Sequence, residues 1–165
     1  TYKENDLTYD SFNKGKLESQ LAYDGNYKAY FEFIADSLKR YSSQRDKQKG
    51  EAFVHGFTLA MTSQNQFYRP ISELDNDGGY ADIFLSPLCD IYKDMVDSYI
   101  IELKYCKTNT ADEQLQVLFK EASAQICRYA NSDIVKESVK TTKLHKLVVI
   151  YRGAEMVMCE EVTEE

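Results

Sequence analysis

Apolar residues recur at helical spacing over residues 14–44, most clearly at Tyr27, Tyr30, Phe31, Ile34, Leu38 and Tyr41. These positions follow the i, i+3, i+4, i+7 rule for one buried helix face. Asp24-Gly25 interrupts the run, so the segment reads as an amphipathic helix or helix pair. The polar stretch Arg45–Gly50 is a connector, and a further helix is predicted over 50–64, with Phe53, Val54, Phe57, Ala60 and Met61 on its buried side. After Gln66 the period changes. Phe67–Leu74 reads as a strand, although Pro70 removes a ladder donor and places it at an edge or a bulge. Asp75-Asn76-Asp77-Gly78-Gly79 supplies residues that tolerate a tight reversal. Tyr80–Leu85 is a second strand, stopped by Ser86-Pro87, and Ser98–Tyr105 is the clearest strand in the chain.

Thr110-Ala111-Asp112-Glu113 has the form of a capping box and predicts a helix start. That helix runs to about Asn131, with Leu115, Leu118, Ala122, Ile126 and Tyr129 on one face. A short polar helix near 133–141 leads to strands at Lys146–Tyr151 and Met156–Cys159, joined by a turn at Arg152-Gly153. The closing Glu160–Glu165 reads as an acidic tail without packing content. The order α-α-β-β-β-α-β-β predicts an α/β domain with a central mixed sheet flanked by helices.

Composition narrows the function classes. The 165 residues carry 20 Lys+Arg against 27 Asp+Glu, a formal net charge of −7. That is opposite to the footprint of a protein that grips nucleic acid by charge alone. A local basic strip at Lys136, Lys140, Lys143 and Lys146, or further chain, would have to supply tight binding. The four cysteines, Cys89, Cys106, Cys127 and Cys159, stand singly, which suits neither a disulfide framework nor zinc and points to a reducing, cytoplasmic setting. No apolar run approaches the about 18 residues of a membrane span, so no membrane association is expected. The chain opens on Thr1, not Met, and reads as either processed or cut from a longer polypeptide.

The chemistry concentrates in Ile100–Tyr105. Strand side chains alternate, so Glu102 and Lys104 share a face with Ile100, while Tyr99, Ile101 and Leu103 point the other way. Charge inside a buried strand is costly unless it is paired or binds a metal. A surface ion pair on a half-exposed strand is the plainer account, and both stand on sequence alone. Asp82 interrupts the preceding strand in the same manner. If the two strands form a hairpin, Asp82 and Glu102 converge. Two carboxylates, a backbone carbonyl such as that of Leu103, and water make the oxygen shell that Mg²⁺ favours, with Mn²⁺ as a substitute. Lys104 beside it can stabilise charge developing on a phosphate.

Ala81-Asp82 followed by Glu102-Leu103-Lys104 resembles the signature of the PD-(D/E)XK nuclease superfamily. Glu51–Phe57, Gly79–Ile83, Tyr99–Tyr105 and Ala124-Gln125-Ile126 resemble its bacterial subfamily in which the nuclease-like domain follows an AAA-ATPase-like domain. Ala81 stands where the family name has proline, a structural position. The resemblance implies a restriction-endonuclease-like core in the order αβββαβ over residues 48–165, with residues 1–47 as an N-terminal helical extension. It implies phosphodiester hydrolysis of nucleic acid, DNA in preference to RNA, and an AAA-ATPase-like partner domain in the same chain. Asp82 and Glu102 match the metal-binding carboxylates and Lys104 the catalytic lysine.

Glu51 matches an acidic residue on the first core helix, although a carboxylate there is equally explained by the helix dipole. Gln125 matches a glutamine placed beside the site, with a hydrogen bond to a strand end as the competing account. His55, one turn after Glu51, is a packed histidine before it is a base or phosphate contact, and Tyr105 and Tyr129 are packing residues before they are cleft walls. A non-catalytic binding or regulatory module working through the ATPase-like partner is the alternative from another class. A structural domain whose strand charges simply pair is a third. Asp75–Ser86 lacks the Gly and Glu of an EF-hand, no P-loop occurs, and His55 and His145 alone make a nucleophile triad improbable.

Overall fold

The change of period after Gln66 marks where helices give way to a sheet. The computed structural model describes residues 2–41, 50–74 and 80–163, with side chains described over 12–41, 50–72 and 83–163. The connector at 45–50, apart from Gly50, and the turn at 75–79 lie outside the described residues. The elements are α1 (Tyr2–Asp24), α2 (Tyr27–Tyr41), α3 (Glu51–Ser63), β1 (Tyr68–Leu74), β2 (Tyr80–Pro87), β3 (Asp97–Cys106), α4 (Asp112–Ala130), α5 (Asp133–Val139), β4 (Lys143–Arg152) and β5 (Glu155–Glu161). The strands form one mixed five-stranded sheet in the order β1-β2-β3-β4-β5. Only β3 and β4 run parallel, and α4 and α5 make the crossover that a parallel pair requires.

The alternation read from β3 sorts the two faces. Tyr99, Ile101 and Leu103 share one core with Leu21, Tyr30, Phe31, Ile34 and Leu38 of α1 and α2 and Val54 of α3. On the other face, Ile126 of α4 and Val135 of α5 pack with Phe84 and Ile100, and Leu115 and Ala122 of α4 pack with Val148 and Ile150. Full burial of a side chain such as Ile126 contributes roughly 1.5–3 kcal/mol. β1 is an edge strand, the first of the two placements Pro70 allows; Pro70 itself stays in register opposite Leu85, and the register slips further on, between Ser72 and Leu74. Gly25 turns the chain between α1 and α2 at φ +66° and lies against the Asp97 carboxylate. No helix among the described residues is long and apolar enough to cross a membrane.

Four expectations need correction. The buried stripe of α3 is Val54, Thr58 and Thr62 with His55, while Ala60 is exposed. The threonines can be buried because Thr58 donates to the Val54 carbonyl at 2.8 Å and Thr62 to the Thr58 carbonyl at 2.9 Å. Thr110 does not cap α4. The N-cap is Ala111, with no side-chain cap, and Arg152 instead fixes this start by donating to the Thr110 carbonyl at 3.2 Å and Asp112 at 2.6 Å. Residues 160–162 are not a loose tail. Glu161 lies in β5 and bonds His145, Glu160 pairs with Lys28, and the Val162 amide donates to the Lys146 carbonyl at 2.7 Å. β4 begins at Lys143, three residues earlier than the apolar run, because His145 is buried within it.

Candidate active site

β3 ends buried and opens to solvent near its C-terminus: Asp97–Leu103 are buried, and Lys104–Cys106 are half-buried. Glu102 is 1 % exposed and stands on the α4 face, opposite Val148 of β4. A carboxylate this dry needs a cation, because water cannot solvate its charge. The Lys104 ammonium supplies one at 2.7 Å from Glu102 Oε1, as the i, i+2 spacing on one strand face allows. The same ammonium donates to Gln125 Oε1 at 3.1 Å. Gln125 is presented by α4 between Ala122 and Ile126, both fully buried against the sheet. Glu102, Lys104 and Gln125 thus form one polar group between β3 and α4.

Asp82 lies in β2. β2 pairs antiparallel with β3 through Ile83–Ile101, and continuing that register by one residue brings the Asp82 position opposite Glu102. The Asp82 side chain lies outside the described residues. Among the described residues no cluster of three His, Cys, Asp or Glu groups forms a metal centre. In chemistry, the set of two carboxylates at adjacent register positions and the Leu103 carbonyl is all oxygen, which suits a hard divalent cation. The dry Glu102 carboxylate, which requires a positive partner, suits one as well.

The remaining candidates fall elsewhere. Glu51 is exposed in the first turn of α3, on the helical layer across the sheet from Gln125. Gly50 before it abuts the Tyr105 ring. His55 is buried on α3 with its Nε2 3.4 Å from the Ser72 hydroxyl, which is the packed reading. Tyr105 and Tyr129 both pack against hydrophobic cores. The basic strip starts at the far end of the sheet: Lys143 pairs with Asp97 and Lys104 with Ile150, a separation of roughly 23 Å along parallel strands. Lys140 is further engaged with Asp90 at 3.4 Å.

A second buried charged cluster was not foreseen. His145 is 6 % exposed, with Nε2 2.7 Å from Asp97 Oδ1 and Nδ1 2.8 Å from Glu161 Oε1, and its ring stacks on Tyr99 at 4.9 Å. The Tyr68 hydroxyl donates to the Asp97 carbonyl at 2.8 Å and Tyr99 to the Leu21 carbonyl at 2.7 Å. Burial pushes both phenols up, so they remain neutral donors. No local signal marks this cluster, since only the β3–β4 and β4–β5 registers bring Asp97, His145 and Glu161 together.

A mixed sheet with a β-hairpin feeding a parallel crossover, and a carboxylate and lysine two residues apart on its third strand, defines a nuclease-like α/β domain. Residues 49–161 match the family model of the PD-(D/E)XK nuclease superfamily, and the chain belongs to that superfamily. No curated protein matches the chain. Nucleases of this superfamily generally use divalent metals.

Proposed function

We propose that the domain is a divalent-metal-dependent nuclease acting on DNA in preference to RNA, with its active site at Asp82, Glu102 and Lys104. The grouping of Glu102, Lys104 and Gln125 on the third strand of a PD-(D/E)XK sheet carries this reading. Asp82, Glu102 and the Leu103 carbonyl would hold Mg²⁺, or Mn²⁺ in its place. Bound there, the cation supplies charge neutralisation at the phosphate and a more acidic water. Lys104 presents its ammonium to the scissile phosphate and orients the attacking water, and Gln125 fixes the direction of that ammonium. Glu51, at the head of α3 next to Gly50, which neighbours the Tyr105 ring at the end of β3, would add a ligand or hold a metal-bound water.

The start of the family match at residue 49 supports taking 1–47 as a helical extension on the 48–165 core. The sequence resemblance supports an AAA-ATPase-like domain in the same polypeptide, and four free cysteines support a cytoplasmic location. A second reading, a catalytically inactive binding module, is favoured by one observation: Glu102 is already neutralised within the protein by Lys104.

The test is direct. The purified protein with Mg²⁺ or Mn²⁺ is offered single-stranded, double-stranded and branched DNA and the matching RNAs. Cleavage of DNA should fall by at least about 100-fold in Asp82→Ala and Lys104→Ala. Cleavage that survives both substitutions, or is absent from the wild type on every substrate, rejects the assignment.

A further inference from the structure

We propose that Lys104 is the resident counter-cation of Glu102, that a divalent cation binds by displacing its ammonium, and that Gln125 receives the displaced ammonium. Lys104 and Gln125 together would then set the metal affinity of the site. The inference rests on the metal-site reading above and concerns how that site is loaded.

Three observations carry it. Glu102 is 1 % exposed, so its carboxylate needs a neighbouring positive charge in every state of the protein. Its Oε1 lies 2.7 Å from the Lys104 ammonium, an ion pair at contact distance. A metal bound at that oxygen would meet the ammonium at a distance where two cations repel strongly in a poorly solvated site. The two positive charges therefore exclude each other at Glu102. The Lys104 side chain is 22 % exposed, against 1 % for Glu102, so it retains room to move. The same nitrogen already has a second acceptor, the Gln125 amide oxygen at 3.1 Å. That acceptor is neutral, so it can hold the ammonium without competing for the metal, and α4 anchors it through Ala122 and Ile126.

This arrangement makes opposite predictions for the two neighbours of the carboxylate. Removing the ammonium removes the competitor. Removing the glutamine oxygen removes the place to which the competitor retreats, leaving Lys104 on Glu102. Simple repulsion between a fixed lysine and the metal predicts tightening in the first case and no change in the second.

The experiment is calorimetric titration of the intact protein with Mn²⁺ alone, without nucleic acid, comparing wild type, Lys104→Met, Gln125→Leu and Asp82→Ala. Circular dichroism confirms that each variant is folded. Lys104→Met should bind Mn²⁺ about 10-fold tighter, and Gln125→Leu several-fold weaker, within the usual range of coupling between neighbouring sites. Gln125 is half-buried and uncharged, so its substitution keeps the test open if Lys104→Met does not fold. Equal affinity in wild type, Lys104→Met and Gln125→Leu, with binding still lost in Asp82→Ala, overturns the displacement model and leaves the metal site standing. Tighter binding in Gln125→Leu also overturns it. No Mn²⁺ uptake by any of the folded proteins removes the metal-site reading itself, and this proposal with it.

Discussion

β3 carries a buried charged cluster near each end, and the two are built differently. At its start, Asp97 meets His145 of β4, which in turn meets Glu161 of β5. Three strands thus close the cluster, each ring nitrogen has a carboxylate, and a stacked tyrosine covers the imidazole. Five residues further along, Glu102 meets Lys104 of its own strand and, through it, a neutral amide on α4. The Asp97 and His145 side chains are each 7 % exposed and Glu161, at the rim, 29 %; in the second group Glu102 is 1 % and Lys104 22 % exposed. A cluster in which three strands close on a buried imidazole, with a carboxylate already at each ring nitrogen, holds strands together. One whose cation has an uncharged alternative partner and access to solvent can change partners. The difference separates a staple from a candidate reaction centre more sharply than burial or the presence of charge does.

The comparison can be broken most severely at His145. His145→Ala leaves buried Asp97 against a hole and half-buried Glu161 without its partner, and the loss of stability should be about 3 kcal/mol, as when a buried charged acceptor is left unsatisfied. Urea denaturation measures it, and added Mn²⁺ should restore none of it. A loss below about 1 kcal/mol would show that the cluster is not a staple.

Lys104→Met should cost less, about 1–3 kcal/mol, because Lys104 itself is partly exposed and its truncation admits water beside Glu102. Here Mn²⁺ at about 100-fold above its dissociation constant should return roughly 2.7 kcal/mol. Denaturation with and without the metal checks both numbers, and equal losses at the two ends with no recovery at either would erase the distinction.

The mildest probe is thiol labelling of the folded protein. Cys106 is half-buried at the end of β3, two residues after Lys104, whereas Cys159 is buried in β5, two residues before Glu161. Burial pushes the Cys159 thiol up to about 12, so little thiolate forms at pH 8 and Cys159 should alkylate many-fold more slowly than Cys106. Mass spectrometry after a timed iodoacetamide pulse reads the ratio, and comparable rates would show that the closed end is open.

The open end was legible in the sequence and the closed end was not, for a physical reason. Glu102 and Lys104 violate the apolar alternation of a single strand, and Gln125 violates the apolar stripe of a single helix, so each announces itself within a local window. Asp97, His145 and Glu161 each look ordinary in their own windows and become a cluster only through register across three strands. The same limit misplaced the head of α4, where Arg152 from β4 overrides the capping pattern at Thr110. It also made a tail of Glu160 and Glu161, whose partners Lys28 and His145 are distant in sequence. In α3, periodicity identified the helix but counted only apolar residues, and so missed threonines that carry their own hydrogen-bond acceptors one turn back. The order of elements along the chain, the edge position of β1 and the two faces of β3 needed only local alternation and turn chemistry.

The parallel pairing of β3 with β4 has a consequence for biosynthesis. A ribosome releases the chain from its N-terminus, so the hairpin carrying Glu102 and Lys104 emerges before α4, and α4 before the strand that pins the crossover. Until Arg152 has left the exit tunnel and clamped Asp112, Gln125 has no fixed seat above Lys104. A nascent or prematurely terminated chain would therefore display the acidic and basic groups of the site without the helix that aligns them. The grouping of Glu102, Lys104 and Gln125 is completed only once β4 has emerged to pin the crossover.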